Sequence, residues 1–297
     1  MYSLHGLRFP KMGTKNRRLV NMKCSANRAE MEAFAGIDVA FAKRKYLPIS
    51  VCVWRNRNFE PLSLRSKLAL APPRGHGNAK ILDAETVKDF AESTFRYLRE
   101  VEKTFGITIR RIAIDAPSEP KTNGAARREA EKGLDRKGIR CITTPDTRQF
   151  NAIRAKVQAH LSGGGEESRL PHANQLWMLV GFELFKNLRQ EWECLEVFPQ
   201  AIAAALESAK IHKSKIDGLL CQLSAAARFT GWPETVCKSS LNGIGYGSLH
   251  DRLDAYLSAW VASLDINQRE PIGAPPNDVI WVPIIKSAPN QGVQTTR

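Results

Sequence analysis

Two short apolar runs in this chain each contain an aspartate near their end, and this feature restricts how the chain can fold. The first run is residues 35–40, with Asp38, and the second is residues 112–117, with Asp115. Runs of this length and composition are typical of strands buried in a sheet. A buried carboxylate is costly unless hydrogen bonds or a cation compensate its charge. The pattern therefore predicts a sheet with Asp38 and Asp115 on adjacent strands, projecting toward one rim.

A third apolar segment, residues 249–260, carries Asp251 and Asp254 three positions apart. On a helix this spacing places both carboxylates on one side, and His250 shares the face of Asp254. Like charges held this close repel each other unless a cation intervenes. Asp251 could instead be the cap or first-turn acid of the helix. His250 could orient a ligand or simply precede the helix.

The remaining pattern predicts a sheet domain of the α/β or α+β class, because early strands in a meander are followed by strands that alternate with helices. Strands are expected at residues 33–40, 47–54, 111–116, 139–144, 195–199 and 278–285. Helices are expected at residues 83–105, 125–136, 200–208, 215–229 and 250–264, and within a helical region at 148–189 that a glycine run interrupts. We expect a basic, flexible arm over residues 1–30, one domain over 31–286 with a helical insertion around 148–190, and a polar tail over 287–297.

The charge of the chain favours a polyanionic partner. The formal net charge is +14 and the isoelectric point is near 9.7, and clustered Lys and Arg side chains raise the local concentration of phosphate groups. Nucleic acid is therefore the expected partner. The residues expected to line a phosphate track, if they are not simply a solvated face, are Lys121, Arg127, Arg128, Arg148 and Arg154.

Other composition features exclude several classes of protein. The six cysteines form no C-x-x-C pair and the six histidines form no H-x-x-x-H pair, so a structural zinc site is not expected. No apolar run approaches the roughly 20 residues that a membrane-spanning helix needs. These features predict reduced thiols and, by default, a cytoplasmic protein.

Several short motifs occur in an order that resembles a known family. They are G-I-D at residues 36–38, A-I-D-A-P at 113–117, R-R-E-A-E at 127–131, L-E-V-F-P at 195–199 and H-D-R-L-D-A-Y-L-S-A-W at 250–260. Together with the late segments at 272–273 and 279–283, this order is similar to the family catalogued as domain of unknown function 429. Its members are described as predicted ribonuclease-H-like nucleases. The resemblance covers about residues 33–285.

The resemblance implies a ribonuclease-H-like α/β fold, a mixed sheet flanked by helices. In that superfamily, Holliday-junction resolvases carry an aspartate on the first strand, an acidic residue on the fourth and an H-x-x-x-D-type pair on the last helix. By position these are Asp38, Asp115, and the pair Asp251 and Asp254. Glu196 could be a further ligand or an edge-strand charge.

The expected function is a Mg²⁺- or Mn²⁺-dependent nuclease that hydrolyses phosphodiester bonds of DNA or RNA by a two-metal mechanism. The alternative is a non-catalytic nucleic-acid-binding protein on the same fold. An ATP-dependent phosphotransferase fits poorly, because Asp38 is followed by Val39, Ala40 and Phe41 instead of a glycine- and threonine-rich phosphate turn.

Overall fold

A five-stranded mixed sheet organises the molecule, for which the computed structural model describes residues 31–285. Its strands are β1 (Met31–Asp38), β2 (Ile49–Arg55), β3 (Asn58–Pro61), β4 (Ile107–Asp115) and β5 (Glu193–Glu196). Their spatial order is β3-β2-β1-β4-β5. β1 to β3 form an antiparallel meander, whereas β4 is parallel to β1 and β5 is parallel to β4. The predicted arm and tail lie outside the described residues.

Helices cover both faces of this sheet. They are α1 (Leu64–Lys67), α2 (Ala84–Phe105), α3 (Glu129–Arg136), α4 (Thr147–Ser162), α5 (Ala173–Leu188), α6 (Pro199–Ala205), α7 (Ile216–Thr230) and α8 (Leu249–Ser263). Strands alternate their side chains between the two faces. Ile112 and Ile114 accordingly pack in the core with α2, α4 and α5, whereas Ala113 packs in the core with α6, α7 and α8.

Local sequence explains how several elements begin and end. The turn between β2 and β3 is formed by Asn56 and Arg57, both with positive φ, as in the tight turns that suit antiparallel hairpins. Asp83 caps α2 by accepting a hydrogen bond from the backbone N–H of Glu85, and Gly106 ends that helix in the left-handed conformation.

A separate hairpin lies beyond the main sheet. Its strands are β6 (Arg269–Ala274) and β7 (Asp278–Pro283), and they pair antiparallel. Ile272 and Ile280 of this hairpin pack with Ala130 and Leu134 of α3 in a third, smaller core. The hairpin thus closes one side of the region that follows β4 and β5.

The expected strand at residues 139–144 is wrong. That segment is irregular, and both edges of β4 are already taken by β1 and β5. Its polar backbone is satisfied elsewhere, since the N–H of Thr144 donates to Oε1 of Glu131 at 2.6 Å. The meander strand β3 and the hairpin strand β6 were not expected as strands.

The mixed sheet flanked by helices confirms the predicted α/β class and is compatible with the ribonuclease-H-like arrangement. The helical region around 148–190 consists of α4 and α5, with the glycine run between them. Within residues 31–285, no helix combines the length and the apolar character needed to cross a membrane.

Candidate metal and catalytic site

Asp38 and Asp115 lie side by side at one rim of the sheet. Each is the last residue of its strand, and the parallel register of β1 and β4 pairs their Cα positions directly. This confirms the prediction that the two aspartates lie on adjacent strands. Ligands of open α/β sheets bind at the carboxyl ends of strands, so the register alone makes this rim a candidate site.

Asp254 reaches the same rim because α8 lies directly against β1. A Cβ atom on Gly36 would lie 2.0 Å from the carbonyl oxygen of Ala255 and 2.3 Å from the backbone nitrogen of Ala259. Only glycine at position 36 allows this close approach of helix to strand. The glycine of the G-I-D motif therefore serves to bring the helix that carries Asp254 over the strand that carries Asp38.

Lys213 supplies a cation within this group. It lies in the turn before α7, it is mostly buried, and its ammonium group forms an ion pair with Oδ2 of Asp254. Burial acts to lower the pKa of Lys213, but the carboxylates of Asp254, Asp115 and Asp38 outweigh burial and raise that pKa. We call Asp38, Asp115, Asp254 and Lys213 the aspartate cluster.

When ionised, the three aspartates of the cluster carry more negative charge than its one ammonium neutralises, and the pKa values of the carboxyls are raised. Burial raises the pKa of Asp115 to about 8, with the negative charge of Asp254 adding to the effect. Burial also raises the pKa of Asp38 well above its ordinary range, and repulsion from Asp254 and Asp115 adds to this. The pKa of Asp254 is raised by burial despite its pairing with Lys213. Perturbed carboxylates in such a group are typical of functional sites.

The donor chemistry of the cluster suits a hard divalent cation. Mg²⁺ and Mn²⁺ prefer carboxylate oxygens, and Oδ1 of Asp254 is buried without a hydrogen-bond partner in the described part of the chain. Among residues 31–285, however, no three His, Cys, Asp or Glu side chains come close enough together to hold a metal ion. The residues thus fit the ion in chemical type, and binding would have to draw the carboxylates together.

Asp251 and His250 lie in the first turn of α8 and make contacts that begin the helix. Oδ2 of Asp251 accepts a hydrogen bond from the N–H of Ser248 at 2.9 Å, and Ser248 in turn caps the helix. His250 contacts the hydroxyl of Ser248 at 3.0 Å and Oδ1 of Asp251 at 3.1 Å. The capping role that the sequence left open for Asp251 is therefore present.

Glu196, at the end of β5, is fully engaged by protein partners. Nη1 and Nη2 of Arg128 donate to its two oxygens at 2.7 and 2.8 Å, and the N–H of Ser118 donates to it at 2.8 Å. Arg128 also donates to Asp278 at 3.0 Å. Because these bonds occupy both oxygens, Glu196 is a partner in a buried ion pair on the edge strand of the sheet.

The structure corrects the expected phosphate track. Arg128 is buried in the ion pairs just described, and Lys121 is buried with its ammonium donating to the carbonyl oxygen of Ala126. Arg127 pairs with Glu131 and Asp135. Arg148 and Arg154 both lie on α4, where Arg148 is exposed and Arg154 is half-buried. Buried and internally paired cations are not available to a backbone phosphate, so the five residues do not form one track.

A cavity of about 400 Å³ adjoins the aspartate cluster, and Asp115 of the cluster forms part of its wall. It lies beyond the carboxyl ends of β4 and β5, and its walls are mostly apolar, with Ile142, Trp177 and Phe198 among them. Arg128 and Glu196 contribute a paired, neutral part of the wall. This cavity is not visible in the sequence, because the segments that form it are distant along the chain.

Comparison with known proteins gives a family and nothing finer. A family model described as "Protein of unknown function (DUF429)" matches residues 76–277, more than half of the chain. The match includes Asp115, Lys213 and Asp254 and begins after Asp38, so it is shorter than the expected resemblance over 33–285. No curated protein and no solved structure matches the chain significantly.

Proposed function

This chain belongs to the DUF429 family, and we propose that it is a metal-dependent nuclease that hydrolyses phosphodiester bonds of DNA or RNA. One observation carries the proposal. Three aspartates from β1, β4 and α8 lie at one rim of the sheet, and in their ionised forms they carry more negative charge than the single ammonium of Lys213 balances. A group of this kind is costly to a fold, and a cation that serves catalysis is the simplest reason to keep it.

Asp38, Asp115 and Asp254 would hold Mg²⁺ or Mn²⁺, which when bound supplies a nucleophilic water at neutral pH and stabilises charge on the phosphate. In their ionised forms, the three carboxylates and the ammonium of Lys213 carry a net charge of −2. One divalent cation balances that charge. We therefore propose one metal ion per site. In this proposal the ammonium of Lys213 takes the place of the second metal ion of a two-metal site.

The rest of the chain supports a polyanionic substrate. The net charge of +14 attracts nucleic acid over a long range, which raises the rate of encounter at low ionic strength. In this proposal Asp251 remains a helix cap and Glu196 remains an ion-pair partner, since protein groups already engage their oxygens.

One observation favours the alternative, a non-catalytic nucleic-acid-binding protein. Lys213 already pairs with Asp254, and within residues 31–285 no three candidate ligands converge on one point. An internal cation that permanently replaced the metal ion would leave the fold intact and the site inert. The two functions differ in whether a divalent ion binds and whether a phosphodiester bond is cut.

A cleavage assay separates these functions. Labelled single-stranded, duplex and junction substrates of DNA and RNA are incubated with Mg²⁺, Mn²⁺ or EDTA, using the wild type, Asp38→Asn and Asp217→Asn. Asp217 is an exposed first-turn acid of α7 and is the matched control. We expect cutting that EDTA abolishes and that Asp38→Asn reduces by at least about a hundredfold, since even residues behind the ligands contribute 10- to 100-fold.

Calorimetric titration with Mn²⁺ provides a reading that is independent of activity. We expect about one ion per chain for the wild type and for Asp217→Asn, and much weaker binding for Asp38→Asn. Nucleic-acid binding without cutting or ion uptake, equal in all three proteins, would overturn the nuclease proposal and establish the non-catalytic binder.

A further inference from the structure

The cavity beside Asp115 has the position of a substrate subsite. Asp115 lines it together with Ala116 and Pro117, which follow directly after β4, and Val197 and Phe198, which follow directly after β5. A strand whose phosphodiester group lay at the aspartate cluster would therefore pass the mouth of this cavity. Its volume of about 400 Å³ lies in the range of small-ligand sites, about 300–1,000 Å³, and is far too small for a duplex.

The walls of the cavity suit a flat, aromatic ligand. Trp177 of α5 and Phe198 offer aromatic rings, and Ile142 and Met178 offer apolar contacts. The indole N–H of Trp177 donates to the carbonyl oxygen of Asn174 at 2.9 Å, which fixes the ring at the N-terminal part of α5. Aromatic side chains of this kind stack on nucleobases whatever the base identity.

The charges around the cavity suit a base attached to phosphate. Arg128 is neutralised by Glu196 and Asp278, so it offers no net charge to a ligand. Arg140 also lines the cavity, is exposed, and makes no ion pair with any residue in the range 31–285. An unpaired guanidinium at an apolar cavity can bind a phosphate or the edge of a base.

We propose that this cavity receives one unpaired nucleobase of the strand that is cut at the aspartate cluster. The inference rests on the proposed nuclease function and narrows its substrate class to single-stranded or locally unpaired nucleic acid. Bases of an intact duplex are stacked and paired, and one can enter such a cavity only after it has left the stack. Cutting of a continuous duplex is therefore slow relative to cutting of a single strand of the same sequence.

The test measures binding and cutting with two pairs of variants. Trp177→Leu removes the stacking surface, and Trp54→Leu is its control, because Trp54 is a partly exposed tryptophan that does not line the cavity. Ile142→Glu places a carboxylate in the wall at a side chain that is 44% exposed, so the fold tolerates it, and Ile266→Glu, at an exposed position elsewhere, is its control. The probes are labelled ten-nucleotide single strands of DNA and RNA, the same strands with one abasic position, their duplexes, and free mononucleotides.

In EDTA, fluorescence anisotropy should show about tenfold weaker single-strand binding for Trp177→Leu and Ile142→Glu, and unchanged binding for both controls. With Mg²⁺ or Mn²⁺, an abasic position moved along the strand should suppress the cut at one fixed distance from it. Equal binding and cutting by all variants, with no effect of the abasic position, would overturn the base site and leave the nuclease proposal standing.

Two further outcomes test separately whether the base belongs to a strand and whether the protein cuts nucleic acid. If the binding of free mononucleotides depends on Trp177 and the binding of strands does not, the proposal that the base belongs to a strand is overturned. The ligand of the cavity would then be a soluble nucleotide. Strand binding that depends on Trp177, without cutting by the wild type in either metal ion, would support the base site and overturn the nuclease proposal.

Discussion

Two groups of charges, buried in part, lie close together at the carboxyl ends of the strands, and they are balanced very differently. In the Arg128 network, Glu196 receives three hydrogen bonds of 2.7–2.8 Å, and Arg128 also pairs with Asp278. In the aspartate cluster, three carboxylates share one ammonium, and Oδ1 of Asp254 has no hydrogen-bond partner within residues 31–285. Burial of a carboxylate therefore says little about function by itself. The informative property is whether protein partners complete its charge and hydrogen bonds.

The largest effect is expected from breaking the balanced network. Arg128→Met leaves Glu196 buried without its partner, and removing one member of a buried ion pair costs about 3–5 kcal/mol of unfolding free energy. Urea denaturation measures this loss. The matched control is Arg110→Met, which breaks the exposed pair of Arg110 with Glu32 and should cost no more than about 1 kcal/mol. Equal losses of unfolding free energy for the two variants would show that the Arg128 network is no more important to stability than an exposed ion pair.

The next largest loss of stability is expected from disturbing the contact between α8 and β1, which assembles the aspartate cluster. In Gly36→Ala the added Cβ meets backbone atoms of α8 at 2.0 and 2.3 Å, so the helix must move away from β1. Forced overpacking costs about 1–3 kcal/mol, and it displaces Asp254 from Asp38, so cutting should fall as well. Gly243→Ala is the control, because an added Cβ there has open space. A variant that is destabilised but cuts at the normal rate would show that α8 does not position the site.

Substitution of Asp115 is expected to change the free energy of unfolding less, and to raise it. The pKa of this carboxyl is raised by burial from about 4 to about 8 in the folded protein, so folding favours its protonated form. The folded protein therefore loses stability as the pH rises from about 4 to about 8, and Asp115→Asn escapes that loss. In EDTA, thermal unfolding should show the variant stabilised by at least about 1 kcal/mol at pH 8, since one unit of pKa difference corresponds to about 1.4 kcal/mol, with little difference at pH 4. A destabilised variant at pH 8 would contradict the assignment of uncompensated charge.

The smallest effect is expected at Asp251. Asp251→Ala removes a capping contact of α8, which costs about 1 kcal/mol, and cutting should stay within about twofold of the wild type. Asp254→Asn provides the contrast, because it should abolish cutting. Loss of cutting in Asp251→Ala, measured on the folded variant, would return Asp251 to the set of metal ligands.

Local apolar patterns were enough to predict the strands that carry Asp38 and Asp115. The apolar runs around Asp38 and Asp115 predicted two strands, and the parallel register confirms their adjacency. The apolar run at 139–144 predicted a strand for the same reason and was wrong, because β1 and β5 occupy both edges of β4 and the segment bonds its backbone to Glu131 instead. Pattern alone does not show which edges are occupied.

The parts of the site that depend on distant segments could not be predicted. Lys213 lies 41 positions before Asp254 in a turn of unremarkable sequence, and only the packing of that turn against α8 brings the ammonium to the carboxylate. Arg128 illustrates the reverse error. A basic residue in a charged stretch suggested surface contact with phosphate, yet the fold buries it against Glu196.

The close contact of α8 with β1 also has a consequence for the order in which the protein is made. Asp38 lies in the first described strand, whereas Asp254 is supplied by a helix more than two hundred residues later. A chain still emerging from the ribosome therefore has β1 to β5 available long before it has a complete aspartate cluster. Under the proposed function, a chain that has the five strands without α8 lacks Asp254 and cannot complete the cation site. Cutting of nearby nucleic acid, including the messenger being translated, would then wait until this helix has been synthesised and has docked at Gly36.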